Sequence, residues 1–342
     1  MGAPETGRVD ARDDGDEPAR QEVGLLLRSF QAGDGDAINR GFNEIFHLER
    51  PLDEWRWKFQ PESGDAWITL GFEASGELVA HFGVVRHWMW VHGERVVAGQ
   101  AVDSYRLRRP GTASQRVFID TVREFYRVHG DGERIAFLFG FPGAHHMGLG
   151  RSLLGYVDPV PVPVWHRRRP WLRRRRPSLS HRVDDGFAPE ALDRLWERAR
   201  SRHPAAVIRD GARWERRYHS RPGSRYRYAT ARRDGEIEAW AVFAVDGPTL
   251  RWVDLLWDGG DARAIAALDE AALDAAAHAG VRRLEAWLGG DEAAAAALAA
   301  RGWTRGAHPQ GLELTAVPFR KDVDGAALVR ELYFTMGDSD LI

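Results

Sequence analysis

The chain has 342 residues, contains no cysteine and carries a formal net charge of -2 at pH 7. This length allows two domains of ordinary size, and the lack of cysteine excludes disulfides, thiolate zinc sites and a cysteine acyl-enzyme. Apolar runs such as residues 135–141 are too short to span a bilayer, and the first residues lack the apolar segment of a signal peptide. We therefore expect a cytoplasmic protein without a membrane segment.

The first half of the chain has the pattern of a mixed α/β layer. Residues 1–22 are highly charged and lack apolar periodicity, which predicts a disordered acidic tail. An antiparallel sheet is then expected to become parallel through a crossover helix. Strands are predicted at residues 23–30, 67–72, 78–85, 87–91, 95–107, 134–141 and 156–165. Helices are predicted at residues 34–46, 53–59, 112–129 and 145–154.

The joint between the strand ending near Leu107 and the crossover helix carries the most informative residues. The sequence RRPGTA at residues 108–113 interrupts the strand, and Thr112 can cap the helix that follows. Free N–H groups at such a helix N-terminus favour an anion, and Arg108 and Arg109 stand beside them. The joint is therefore either an anion site or an ordinary connection between two elements.

Several motifs in the first half resemble the GNAT N-acetyltransferase superfamily. The sequence RRPGTA fits that superfamily's phosphate loop, [QR]-x-x-G-x-[GA], at the expected junction of strand and helix. Residues 140–156, GFPGAHHMGLGRSLLGY, are similar to the "GFPN…LGY" segment of a bacterial subgroup. The resemblance to this subgroup extends to Trp55 and Trp57, to Val102-Asp103 and to residues 334–340. An alignment through Phe118 would instead place the loop at residues 113–116.

The second half repeats this pattern in a weaker form after an Arg/Pro-rich linker at residues 166–182. Asp103 precedes Gly155 by 52 positions, and Asp254 precedes Gly302 by 48, which indicates a second GNAT-like domain. Its loop, residues 258–261 (DGGD), has two carboxylates where a pyrophosphate would lie, and like charges oppose coenzyme binding. The linker is either a solvated connector or a contact for an anionic partner.

The resemblance implies two tandem GNAT-like mixed α/β sheets with helices on both faces. Residues 23–165 would form an acetyl-CoA-binding domain, residues 183–320 a degenerate copy, and residues 321–342 a C-terminal docking tail. The implied activity is transfer of an acetyl group from acetyl-CoA to a small-molecule amine by direct attack in a ternary complex. A non-catalytic ligand- or partner-binding protein and an aminoacyl transferase acting on a cell-wall precursor are the alternatives. A nucleic-acid partner is not expected, because the Arg-rich linker lacks the flanking aromatic and glycine pattern of an RNA module, and no membrane partner is expected.

The resemblance also implies the residues of the coenzyme site. The expected contacts are Tyr105, Leu107, Arg108, Arg109, Gly111, Thr112, Ala113 and Ser114. Many GNAT enzymes carry a tyrosine that protonates the leaving thiolate four residues before the glycine that ends the penultimate helix. Arg151 takes that position here, so the acid is missing or comes from elsewhere. Adjacent His145 and His146 cannot share a helix face, and no metal site is predicted.

Two carboxylates are candidates for accepting the proton of the amine. Asp103 falls on the diverging strand, where it either acts as a base, directly or through water, or holds the backbone. The tail, residues 332–342 (LYFTMGDSDLI), ends on apolar Ile342 and is expected to dock. In some tandem relatives the terminal carboxylate reaches the transfer site. Asp338, Asp340 or the Ile342 carboxylate would then face the amine, unless the tail only packs between the domains.

Overall fold

The computed structural model of the chain describes residues 20–22, 25–60, 63–108, 116–170 and 180–340. Its strands are β1 (Arg20–Glu22), β2 (Leu25–Ser29), β3 (Ala66–Glu73), β4 (Leu78–Val91), β5 (Glu94–Arg106), β6 (Phe137–Gly140), β7 (Val160–Pro161), β8 (Pro163–Arg168), β9 (Arg182–Asp184), β10 (Ala205–Val207), β11 (Arg227–Arg233), β12 (Glu236–Asp246), β13 (Thr249–Trp257), β14 (Arg283–Gly289), β15 (Thr304–Ala307), β16 (Glu313–Pro318) and β17 (Leu332–Thr335).

The helices are α1 (Gly35–Phe46), α2 (Leu52–Phe59), α3 (Arg116–His129), α4 (Ala144–Leu153), α5 (Pro189–Ala199), α6 (Gly211–Trp214), α7 (Arg263–His278), α8 (Glu292–Ala300) and α9 (Gly325–Glu331). A π-helical turn, Glu215–His219, continues α6, and a 3-10 turn, Met336–Asp338, follows β17. Within the described part of the chain, no helix is both long and apolar enough to cross a bilayer.

The first half is an antiparallel sheet of β2, β3, β4 and β5 that becomes parallel at β6. Helices α1 and α2 bury Ile38, Trp55 and Phe59 on one face, while α3 packs on the other face. β5 pairs with β6 only at Gly99 and Gln100, although β5 continues to Arg106. The two strands therefore separate beyond Gln100.

The second half repeats this arrangement. β11, β12 and β13 are antiparallel, and β13 runs parallel to β14 after the crossover helix α7. The parallel pairing ends at Trp252, although β13 continues to Trp257. The predicted fold class, two mixed sheets with helices on both faces, is confirmed.

Each half gives one strand to the sheet of the other. β8 lies between β14 and β15 of the second half, while β16 pairs with β6 of the first half. The domain boundary at residue 165 and the linker beginning at residue 166 therefore fall inside β8. The exchange joins the halves through backbone hydrogen bonds as well as through a shared apolar core.

Two further predictions differ from the structure in detail. Arg20–Glu22, which the sequence assigned to a disordered tail, pairs as β1 with β2. The strands predicted separately at residues 78–85 and 87–91 form one long β4, because Arg86 is not a turn-forming residue and the strand continues through it.

The C-terminal segment is buried between the halves. β17 runs antiparallel to β14 and parallel to β10, and β10 in turn pairs with β4 of the first half. Tyr333 and Phe334 are only 1% and 2% exposed. Burying two aromatic side chains stabilises this docked position by several kcal/mol on the usual scale of roughly 1.5–3 kcal/mol for a large apolar side chain.

Candidate active site

Asp103 lies where β5 has left β6, and it has a left-handed backbone with φ of 50°. The β4–β5 pairing shifts register at the same place, between His81 and Gly83. A side chain in this backbone region is strained, so the surrounding contacts must hold it. The ring Nδ1 of His81 lies 2.8 Å from the Asp103 carbonyl oxygen, and burial lowers the pKa of His81 to about 4. The neutral ring therefore donates to that carbonyl and fixes the bulge.

The carboxylate of Asp103 is held by two cations. It accepts hydrogen bonds from the Arg50 guanidinium and, at 2.5 Å, from Lys58 Nζ, and its side chain is 2% exposed. Burial raises the pKa of Asp103, but Lys58 and Arg50 outweigh burial, so the pKa lies below its ordinary value. Asp103 is thus an ionised, fully engaged carboxylate, which is a poor acceptor for another proton.

A cavity of about 250 Å³ occupies the gap between the diverging strands. Its walls include the end of β5, the end of β6, and the side chains of Tyr126, His146 and Tyr156. The Tyr156 hydroxyl lies 2.9 Å from His146 Nε2, and burial raises the pKa of Tyr156. This side chain is therefore a neutral phenol at the edge of the gap. We call this space the donor pocket.

A second cavity of about 1240 Å³ lies between the two halves. Helix α2, strand β4, the α6 segment and the C-terminal tail all contribute to its walls. We call this space the interdomain cleft. The donor pocket and the interdomain cleft are both lined by Phe46, Val102, Asp103 and Asp340. A molecule in one cavity can therefore meet a molecule in the other at this junction.

The tail places one of its carboxylates at the junction. Asp340 lies 3.1 Å from Lys58 Nζ, and its side chain is 22% exposed. Asp338 instead points into the second half, where it is 1% exposed and accepts from Arg209 and, at 2.8 Å, from Arg213. Ile342 lies outside the described residues. Of the tail carboxylates expected from the sequence, Asp340 reaches the junction and Asp338 does not.

Several solved structures share this architecture. A probable N-acyltransferase from Enterococcus faecalis V583 is similar over 86% of this chain and 73% of its own, with 10% identity and a TM-score of 0.65. Saccharomyces cerevisiae N-myristoyltransferase with bound myristoyl-CoA is similar over 88% and 84%, with 13% identity and a TM-score of 0.61. A GCN5-related N-acetyltransferase (GNAT) from Kribbella flavida is similar over 85% and 70%, with 14% identity and a TM-score of 0.62.

The chain has the GNAT fold. No family model and no curated protein sequence matches it. Since identities this low show the fold alone, any function has to be argued from the site.

In the second GNAT-like half the equivalent gap is filled by the chain itself. Asp254 there accepts hydrogen bonds from Arg209 at 3.0 Å, from Tyr218 at 2.6 Å and from Thr335 at 2.8 Å. β17 pairs with the end of β14, and a Cβ added to Gly337 would lie 2.2 Å from the Tyr218 hydroxyl. The C-terminal segment therefore leaves no space for a ligand between β13 and β14.

The predicted coenzyme residues fall into three groups. Tyr105 and Leu107 are buried, and the Tyr105 hydroxyl donates to the Ile38 carbonyl at 2.8 Å, so that side chain serves the core. Arg108 is exposed at the end of β5. The others, Arg109, Gly111, Thr112, Ala113 and Ser114, lie outside the described residues.

Arg151 takes the sequence position of the usual GNAT acid but lies away from the donor pocket. Arg151 forms an exposed ion pair with Asp158 at 2.8 Å and does not line the donor pocket. Tyr156, which the sequence did not single out as an acid, takes a place in the pocket wall instead.

The cations around Asp103 were missed from the sequence, although an internal signal was present. Arg50 precedes Trp55 by five positions, and Arg209 precedes Trp214 by five positions. Each arginine binds the aspartate of its own half, Asp103 or Asp254. Aligning the two halves on these tryptophans would have identified both arginines.

Proposed function

We propose that the protein is an N-acyltransferase that moves an acetyl group from acetyl-CoA to a small-molecule amine in a ternary complex. The observation that carries this proposal is the junction of the donor pocket and the interdomain cleft at Asp103 and Asp340. The thioester would enter from the donor pocket and the amine from the cleft. The amine nitrogen attacks the carbonyl carbon, the C–S bond breaks, and the amide and the free thiol are formed.

Backbone donors of β5 would stabilise the transition state. The parallel pairing with β6 stops at Gln100, so N–H groups farther along that edge have no ladder partner among the described residues. The left-handed backbone at Asp103 fixes their direction in advance. Preorganised N–H groups that face a developing oxyanion are a large source of rate acceleration.

Asp340 is the better placed proton acceptor. Its carboxylate is partly exposed at the junction, whereas Asp103 is enclosed by Arg50 and Lys58. The Ile342 carboxylate follows two positions later in the chain and is the second candidate. Asp103 then has a positioning role, because its ion pairs and its carbonyl bond to His81 hold the bulge.

Tyr156 would donate a proton to the leaving thiolate of the coenzyme. Its hydroxyl is in the donor pocket, its raised pKa keeps it protonated, and His146 lies within hydrogen-bond distance. Protonating the leaving thiolate prevents the reverse attack on the new amide. Arg151 cannot take this role, since it is paired with Asp158 at the surface.

The gap between the diverging strands is small in the first half and filled in the second. This supports a short acyl chain and the binding of one coenzyme per chain. The donor pocket, at about 250 Å³, is smaller than the roughly 300–1,000 Å³ of common ligand pockets. The equivalent gap of the second half is occupied by β17 and Gly337. Acetyl-CoA is therefore expected to bind in the first half alone.

Calorimetry with acetyl-CoA tests the proposal. One site per chain is expected, with weaker binding of myristoyl-CoA. Gly111→Asp should abolish binding, because a carboxylate would repel the coenzyme phosphates, while Gly186→Asp adds the same charge at an open position and should bind normally. Two sites, or no binding at millimolar coenzyme, would contradict the proposal. Normal binding by Gly111→Asp would instead favour the loop at residues 113–116.

A further inference from the structure

One wall of the interdomain cleft brings several arginines together. Arg86 of β4, Arg213 of α6 and Arg216 of the π-helical turn all line the cleft. Arg216 forms an ion pair with Asp65 at 3.0 Å, and Arg213 forms one with Asp338 at 2.8 Å. Each of these two arginines thus has one carboxylate partner inside the protein.

Arg86 has no carboxylate partner among the described residues. Its guanidinium lies 4.6 Å from the centre of the Trp88 ring. Its Nε is buried without a hydrogen-bond partner, as are Nε of Arg213 and Nη2 of Arg216. Leaving buried donors of charged groups unsatisfied is costly, so each of these atoms needs an acceptor from outside the chain, such as an ion or an ordered water.

The arginines also oppose one another. Burial lowers the pKa of Arg216. Its partner Asp65 opposes this lowering, whereas the charges of Arg213 and Arg86 add to it. Burial also holds the pKa of His87 well below its ordinary value, and the positive charges of Arg213 and Arg216 lower it further. A neutral His87 can accept from Arg213, whose Nη1 lies 3.4 Å from Nδ1. An anion between these groups would relieve their mutual repulsion.

We propose that this wall, Arg86 with Arg216, binds an anionic group of the acceptor, a carboxylate or a phosphate. The acceptor would then be an amine with its amino group at Asp340 and its anionic group at Arg86, which rests on the proposed N-acyltransferase function. The wall continues to the junction, because Arg217 donates to the Ser339 carbonyl at 2.9 Å, next to Asp340. The cleft of about 1240 Å³ is large enough for such a two-ended molecule.

The coenzyme's own phosphates are a separate matter. They are expected at residues 108–113, which follow β5, whereas Arg86 and Arg216 line the cleft and not the donor pocket. Saturating the protein with CoA should therefore leave the anion site free, and the titrations below are made with and without CoA.

The first experiment uses inorganic phosphate as the probe, titrated calorimetrically at low ionic strength. Arg86→Met keeps an unbranched apolar stem and removes the charged guanidinium, and Arg330→Met makes the same change at an exposed position on α9. Charge-assisted hydrogen bonds are among the stronger contributions to binding, so Arg86→Met should weaken phosphate binding about tenfold or more. Arg330→Met should bind as the native chain does. If the methionine variant does not fold, Arg86→Lys is measured instead. It retains the charge and should retain most of the phosphate binding.

The second experiment separates the two possible anions and the two proposals. Acetyl transfer is measured to ethanolamine phosphate against ethanolamine, and to glycine against glycinamide. The anionic member of one pair should be preferred at least tenfold in kcat/KM, and Arg86→Met should remove the preference while leaving acetyl-CoA affinity unchanged. If the native chain binds no acetyl-CoA, the proposed function fails, but the phosphate titration still decides the anion site. Absence of saturable phosphate binding, or equal losses in Arg86→Met and Arg330→Met, would overturn the inference.

Discussion

Asp254 occupies in the second half of the chain the place that Asp103 occupies in the first. Each lies just beyond the last parallel pairing of its strand, Gln100 in β5 and Trp252 in β13. Their surroundings differ, since Asp254 is 1% exposed beneath the C-terminal segment, whereas Asp103 lies at the junction of two cavities. One copy of the fold has kept an opening at this position, and the other has closed it.

This difference predicts separate effects for two matched substitutions. Asp254→Asn leaves the buried Arg209 with a weaker partner, and breaking a buried pair costs about 3–5 kcal/mol. The free energy of unfolding in urea should fall by about that amount, with acetyl transfer by the folded protein unchanged. Asp103→Asn should also destabilise the chain, but it should lower turnover as well because the bulge loses Arg50 and Lys58. Equal turnover losses in both variants would contradict the assignment of one active half.

The closed gap of the second half predicts a cost for adding one methyl group. A Cβ at Gly337 would lie 2.2 Å from the Tyr218 hydroxyl and 3.0 Å from an Asp254 oxygen. Overpacking of this kind costs about 1–3 kcal/mol, so Gly337→Ala should lower the denaturation midpoint. Gly186→Ala, which meets no atom within 4 Å, is the control and should be neutral. A neutral Gly337→Ala would mean that the segment does not fill the gap tightly.

Local features of the fold were predictable from the sequence, because short-range chemistry determines them. The hairpins at Gly76, Gly93 and Gly235 follow from glycines that adopt positive φ between alternating strands. Helix α8 follows from Asp291, whose side chain accepts from the Ala294 N–H at 2.9 Å.

Long-range relationships were not predictable in the same way. Nothing in β8 or β16 indicates that each would pair in the sheet of the other half, since strand patterns record burial and not partners. The ion pairs of Asp103 join residues 53 and 45 positions apart. Of the two cations, Arg50 could have been anticipated from the sequence only by comparing the two halves through Arg209.

The buried histidine behind Asp103 predicts a defined pH dependence of stability. The pKa of His81 is about 4 in the folded chain, against an ordinary value of 6.5. Between these values the unfolded chain binds a proton that the folded chain does not, so this contribution is full above pH 6.5 and is lost as the pH falls toward 4. A shift of this size corresponds to about 3 kcal/mol at most.

His81→Gln isolates this contribution. Glutamine can still donate to the Asp103 carbonyl but does not titrate, and the other buried histidines, His129, His181 and His203, are present in both proteins. Urea unfolding between pH 7 and pH 4.5 should therefore show a shallower loss of stability in the variant. Identical pH profiles would show that His81 is not buried in its neutral form.

The donor pocket predicts a role for a single hydroxyl. Tyr156→Phe removes the group within 2.9 Å of His146 Nε2 but keeps the ring that lines the pocket. Loss of a general acid should lower turnover by about 10²–10⁴-fold with acetyl-CoA affinity nearly unchanged. Tyr228→Phe, on β11 of the second half, is the control and should retain native turnover. Native turnover in Tyr156→Phe would assign the acid to another group.

The tail predicts which carboxylate accepts the proton of the amine. Asp338 is left intact, because it pairs with buried Arg209 and its loss would destabilise the second half and confuse the measurement. Two variants therefore divide the question, namely Asp340→Asn and deletion of residues 341–342. If Asp340 is the base, Asp340→Asn should reduce turnover by about 10²–10⁴-fold, while the deletion has a smaller effect. If the terminal carboxylate is the base, the two results should be reversed.

Acetyl-CoA affinity is the control in both cases, since Asp340 contributes only to the edge of the donor pocket. Asp322→Asn removes an exposed carboxylate paired with Arg320 and should leave both affinity and turnover unchanged. Full turnover in both tail variants would limit the tail to packing between the halves and would leave the amine to lose its proton to water.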